Sequence, residues 1–136
     1  MADKNDDKPK GPWDGKRPSD EELKKILGDH DARLDSEVEG DPPHNLSGII
    51  LKKADLKMAN LRGANLIGAD LQKAYLIGAD FQGADLQGAN LREAILQAAD
   101  LQEAKLQAAD LWETALQLAS LSGADLREAN LIGANL

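Results

Sequence analysis

From Ala54 to Leu136 one five-residue phrase repeats without a gap: ADLKM, ANLRG, ANLIG, ADLQK, and so on to ANL. The frame extends back through IILKK to HNLSG, which starts at His44. Every fifth residue from Leu46 to Leu136 is Leu, except Phe81. Two residues earlier stands Ala, from Ala54 to Ala134, except Thr114. A repeat this regular constrains the fold more than any other feature of the chain.

A helix cannot use a period of five. Five residues advance an α-helix about 140° past a full turn, so the Leu residues would scatter around it and no face could be buried. Glu93 to Leu111 is rich in helix formers, yet the same frame runs unchanged through the Gly-rich ADFQGADLQGANL. In an extended chain, residues two apart share a face. Ala at the first position and Leu at the third then point inward. The second position points outward and is mostly Asp or Asn, as at Asp55, Asn60, Asn65 and Asp70. Glycines at the fifth position, such as Gly63 and Gly68, suit a corner.

The A-(D/N)-L-x-x phrase resembles the pentapeptide repeat family over roughly residues 44 to 136. The resemblance implies an all-β solenoid, a right-handed quadrilateral β-helix with four phrases per coil. Leu or Phe would fill the interior and a small residue would sit at each inner corner. Residues twenty apart would stack. Residues 44–136 would make about four and a half coils, a rod some 20–25 Å long. Phe81, the only central residue that is not Leu, would lie in the core between Leu61 and Leu101. Three outer Gln pairs, Gln82 with Gln102, Gln87 with Gln107 and Gln97 with Gln117, would form amide ladders.

The leader divides in two. Residues 1–17 are polar, with Pro9, Gly11, Pro12 and Gly15, and are expected to be a disordered tail. Trp13 within it is a tail aromatic, a pin to the body or a partner contact. Residues 18–43 are expected to hold an amphipathic helix and a linker. Ser19 and Glu22 form a capping box, and the acidic first turn suits the positive helix end. Leu23, Ile26, Leu27, His30 and Leu34 fall on one face. The open end of a β-helix exposes backbone edges and Leu side chains, and solenoid ends are usually capped. Leu23, Ile26, Leu27 and Leu34 are therefore expected to cover the coil of Leu46, Leu51, Leu56 and Leu61. At the other end the sequence stops mid-phrase at Leu136, so the last coil is expected to be covered by another molecule or by a cap beyond it.

Chemistry is not signalled. There is no Cys, hence no disulfide framework and no thiolate metal site. His30 and His44 are too few to make a metal centre, and a capping or packing role is expected for them. The Asp and Asn columns would occupy flat, solvated faces, whereas catalysis needs a concave site. No catalytic residues, cofactor or metal are expected, and no enzyme activity. The net charge of −8 argues against nucleic-acid and anionic-membrane partners. With no apolar run long enough for a membrane span and no signal core, a cytoplasmic location is expected.

The expected function is a structural module that presents flat faces to a protein partner. The alternative, implied by the resemblance, is DNA mimicry that inhibits or protects a type II topoisomerase. From His44 onward, however, there are eleven acidic and eight basic residues, so the rod carries only −3. A candidate docking strip lies where the outward column loses its polar residue. Stepping by twenty, it reads Asp55, Tyr75, Ile95, Ala115, Asn135. Trp112 and Ile132 stand on the neighbouring edge, with Arg92 placed to lie against the Trp112 ring. The leader around Trp13, a second copy in a homodimer, or a foreign protein could occupy it.

Overall fold

The computed structural model describes residues 11–35 and 44–136. The parts of the expected tail and linker at 1–10 and 36–43 lie outside the described residues. Fifteen parallel bridges join residues twenty apart, from Asn45↔Asn65 to Ala115↔Asn135. Four phrases thus make one coil, and successive coils stack in register. Each phrase contributes a single bridging residue, its second, rather than a longer strand.

The phrase accounts for all five of its backbone N–H groups, which explains its composition. In the phrase 69–73, Ala69 N–H donates to Leu66 O (3.0 Å), closing a turn. Asp70 N–H donates to Ile49 O in the coil before (2.9 Å). Leu71 N–H donates to Asn90 O (2.7 Å) and Lys73 N–H to Arg92 O (2.9 Å), both in the coil after. The fourth N–H, of Gln72, has no backbone partner in this scheme. It donates to the Asp70 carboxylate at 3.1 Å. The same bond recurs at Asn60, Asn65, Asp80, Asp85, Asn90, Asp100, Asp110, Asp125 and Asn130. The outward Asp/Asn column is therefore a structural device, since only a short side-chain acceptor reaches the amide two residues on.

The fifth position takes positive φ, whether or not it is Gly. Ten non-glycine residues from Lys53 to Glu128 and eight glycines from Gly48 to Gly133 fall between 53° and 72°. Such a φ at the third residue of a turn closed by an i→i+3 bond marks type II geometry. For a residue with a Cβ this region costs about 1–2 kcal/mol. Ala98 and Ala108 occupy it with exposed side chains. Replacing both with Gly should stabilise the protein, by up to roughly 1 kcal/mol per site after the entropy of the unfolded Gly is counted. Urea unfolding of parent and double variant checks this.

The interior is a column of Leu with an inner shell of Ala. Leu46 to Leu116 and Ala64 to Ala109 are buried, and Phe81 is fully so. Thr114, the one break in the Ala column, satisfies its buried hydroxyl by donating to Leu91 O at 2.7 Å. Among the expected glutamine ladders, Gln97 donates to Gln117 at 3.4 Å. Gln87 and Gln102 turn back instead to Asp85 and Asp100, and Gln107 reaches Asp125. A carboxylate is the stronger acceptor and outcompetes a neighbouring amide.

Helix α1 spans Asp20–Asp35. Ser19 caps it: Glu22 N–H donates to Ser19 Oγ (3.1 Å) and Ser19 N–H to Glu22 Oε1 (3.2 Å). Ile26 is buried in the core cluster, and Leu23 and Leu27 pack partly buried against it. Leu34 does not join them; it is 43% exposed, and all of residues 31–35 are exposed. A sixteen-residue helix is about 24 Å long, while the extended part of a phrase covers only about 10 Å. The last turn of α1 therefore outruns the coil beneath it.

Residues 11–17 differ from the expected tail. Lys16 N–H donates to Trp13 O (2.9 Å), with Gly15 at φ 68°, which is the corner geometry of the repeat itself. Ile50 N–H donates to Lys16 O and Gly15 N–H to Gly48 O, both at 2.9 Å. Trp13 packs against the core cluster, half-buried. The segment acts as a partial phrase laid on the first coil. Polar composition concealed it because the device is made of backbone bonds and one aromatic ring.

Candidate interaction face

The first coil leaves the carbonyls of its fourth positions without the N–H donors that a preceding coil would supply. Two leader side chains fill two of those four places. Arg17 Nη1 donates to Lys52 O and His30 Nε2 to Arg62 O, each at 2.8 Å. A carbonyl only accepts, so His30 carries its proton on Nε2 and leaves Nδ1 as a lone pair. That atom is buried without a partner among the described residues, as is Nδ1 of His44, whose ring lies 5.8 Å away. Burial lowers the pKa of both rings below the usual 6.5. Asp31 and the bond to Arg62 oppose this at His30, and Asp29 opposes it at His44, where Arg33 reinforces it. No group of three or more His, Cys, Asp or Glu that could hold a metal occurs among the described residues.

These shifts set the sign of a pH dependence. The unfolded chain takes up protons at pH 6.5, and the folded chain does so only at lower pH. Stability contributed by the neutral rings is therefore present above pH 6.5 and lost as pH falls through their depressed folded values. Each ring contributes a slope of at most about 1.4 kcal/mol per pH unit in that window. Denaturant unfolding between pH 7.5 and 5 should show the loss in the parent. A His30→Gln, His44→Gln variant should show it much reduced, because Gln can still donate to Arg62 O without titrating.

The candidate strip lies on one side of the rod, built from the phrases at 54–58, 74–78, 94–98 and 114–118. Bridges run through its column as Asp55↔Tyr75, Tyr75↔Ile95, Ile95↔Ala115 and Ala115↔Asn135. Tyr75 is 47% exposed, and Ile95 and Ala115 are half-buried. Met58 (76% exposed) and Leu118 (90%) stand on the far corner, and a side chain at Gly78 would collide with Met58 Sδ. None of the nine outward positions from Tyr75 to Leu118 carries a charge. Losing Asp or Asn here also removes the side-chain acceptor for the N–H groups of Ile77, Gln97 and Gln117 in three successive coils. A net hydrogen bond is worth about 1 kcal/mol, so the substitution is locally unfavourable three times over.

On the corner leading into this face, Trp112 is half-buried and Ile132 exposed. Arg92 lies over the Trp112 ring at 4.6 Å and pairs with Asp110 at 3.1 Å. Three other carboxylates have bases nearby: Asp55 with Lys57 (3.8 Å), Asp80 with Arg62 (3.7 Å), and Asp125 with Arg127 (2.6 Å). The Arg127 guanidinium holds the Asp125 carboxyl below its usual range. The strip has its side chains in one place, whereas Leu61, Phe81 and Leu101 stack inside the rod. Sequence reasoning missed Arg17 as a carbonyl cap, and nothing local to Arg17 signals it.

The model for pentapeptide repeats matches in eight copies, over residues 45–76, 59–97, 74–112 and 99–136. The chain belongs to the pentapeptide repeat family. No match was found among curated proteins. Among solved structures, a pentapeptide repeat protein from Nostoc Pcc 7120 is 30% identical, with TM-score 0.55, over 82% of this chain and 73% of that one. HetL, a pentapeptide repeat protein involved in heterocyst differentiation regulation from Nostoc sp. Strain PCC 7120, is 31% identical, with TM-score 0.38, over 66% and 60%. QnrB1, a plasmid-mediated fluoroquinolone resistance protein, is 27% identical, with TM-score 0.30, over 63% and 49%. This chain thus spans less than two thirds of the length of the last two. Pentapeptide repeat proteins form right-handed quadrilateral β-helices and are generally structural or interaction modules. No helix among the described residues is long and apolar enough to cross a membrane.

Proposed function

We propose that this pentapeptide repeat protein is a non-catalytic, cytoplasmic interaction module whose right-handed coil, capped by α1, presents the Tyr75–Ile95–Ala115 face to a protein. The observation that carries this is the uncharged face itself. It interrupts the Asx turns in three successive coils. Single exposed apolar residues need no explanation, but a bridged column of them does. Neutrality also favours a protein surface over a polyanion.

DNA mimicry of a type II topoisomerase substrate gains little here. The rod carries only −3, and Asp55, Asp80, Asp110 and Asp125 are paired with the rod's own bases. A purified-gyrase supercoiling assay is expected to show no inhibition.

The face is tested by affinity capture with the full chain. Tyr75→Asp, Ile95→Asp should lose a specific protein that the parent retains. A control, Asn65→Asp, Asn90→Asp, adds two negative charges on other faces while keeping the turn acceptors, and should retain it. Equal capture by both double variants would refute the reading.

A further inference from the structure

We propose that the occupant of this face is a second copy of the chain, docked antiparallel about a two-fold axis through Ile95. This rests on the reading of the face as an interaction site and names its partner. An isologous pairing of two rods across one face puts each column against itself with the coil order reversed. With the axis at Ile95, Tyr75 of one copy meets Ala115 of the other, a large side chain opposite a small one as interdigitated packing requires. On the far corner column, Leu118 comes to the Gly78 corner, which Met58 Sδ covers, an apolar contact.

Charge on the rim points to the same arrangement. The corner leading into the face carries Lys53 and Lys73 in the lower coils, then Glu93 and Glu113 in the upper coils. Reversing the coil order brings Lys73 of each copy to Glu113 of the other. Both residues are exposed, and neither belongs to an ion pair among the described residues. Nearest the axis Glu93 of one copy faces Glu93 of the other, beside an Arg92 that is held on Asp110 and the Trp112 ring. A parallel pairing would set Lys73 and Glu113 on opposite edges of the interface and form neither contact.

The size of the face sets the strength. Four coils at about 4.8 Å by a side of about 10 Å give roughly 200 Å² of flat surface before the corners are counted. Standard interfaces bury about 800 Å² per partner, so the dimer is weak and concentration-dependent. Sedimentation equilibrium of the full chain from about 10 µM to about 1 mM, the range such an interface calls for, is the test. The parent's mass should rise from 14.6 kDa toward twice that value. Lys73→Glu and Glu113→Lys should each weaken association at least tenfold, and the two together should restore it. Circular dichroism confirms that each variant is folded. A parent that stays monomeric throughout overturns the second copy as occupant, while the face itself is still judged by the capture experiment. Association that the charge exchange fails to restore overturns the antiparallel register.

Discussion

Phe81→Ala is expected to cost about 3–5 kcal/mol, the usual range for a buried Phe. The ring is fully buried, with Leu61 and Leu101 at the same place in the coils before and after. Those coils cannot move in to fill the void. Leu61 N–H donates to Asp80 O and Phe81 N–H to Asp100 O, both at 2.7 Å, and bridges Asn60↔Asp80 and Asp80↔Asp100 hold the spacing. A site that cannot collapse keeps its cavity, so the loss should lie near the upper end of the range. Phe81→Leu restores the side chain used at every other central position and should recover most of it. Guanidinium unfolding of the three proteins measures both differences, and a loss below about 1 kcal/mol for the Ala variant would contradict the buried position.

Ile26→Asp should release α1 from the rod. Ile26 is the most deeply buried apolar residue of the helix, packed in the core cluster where a carboxylate would sit among apolar side chains. Burying an unpaired charge costs several kcal/mol, more than undocking the helix would. Once undocked, a sixteen-residue helix with Gly28 at its middle is marginal in water and should melt. The expected result is loss of the helical circular dichroism signal near 222 nm with the β-helix retained. Protease should then cut within residues 20–35, and the bared first coil should promote self-association through its free edge. Leu34→Asp is the control, because Leu34 is exposed. It should change neither signal nor cleavage.

The coil was legible because its causes are local and repeated. A period of five excludes a helix by geometry, and the inward placement of Ala and Leu follows from two-residue alternation. Burial of Ala64 to Ala109 and Leu46 to Leu116 agrees with that placement. The capping box at Ser19 and Glu22 was legible for the same reason, since both partners lie within one helical turn. The column Tyr75, Ile95, Ala115 could be found once stacking at twenty was assumed.

Other features depend on contacts between segments far apart in the chain. Arg17 with Lys52, His30 with Arg62, and Gly15 with Gly48 are separated by about three dozen residues and join groups that have no shared pattern. Whether Leu34 packs depends on how far a straight helix overhangs a short coil, not on which face it occupies. Positive φ at Lys53, Glu93 or Ala98 is imposed by the closing of the coil against each residue's own preference. The repeat by itself determined the rod, its core and the polar column that completes its hydrogen bonds, because each phrase satisfies its needs within itself and its two neighbours. Only the tertiary structure decided how the rod begins, because a coil with no predecessor must borrow donors and apolar cover from whatever distant residues the leader brings to it.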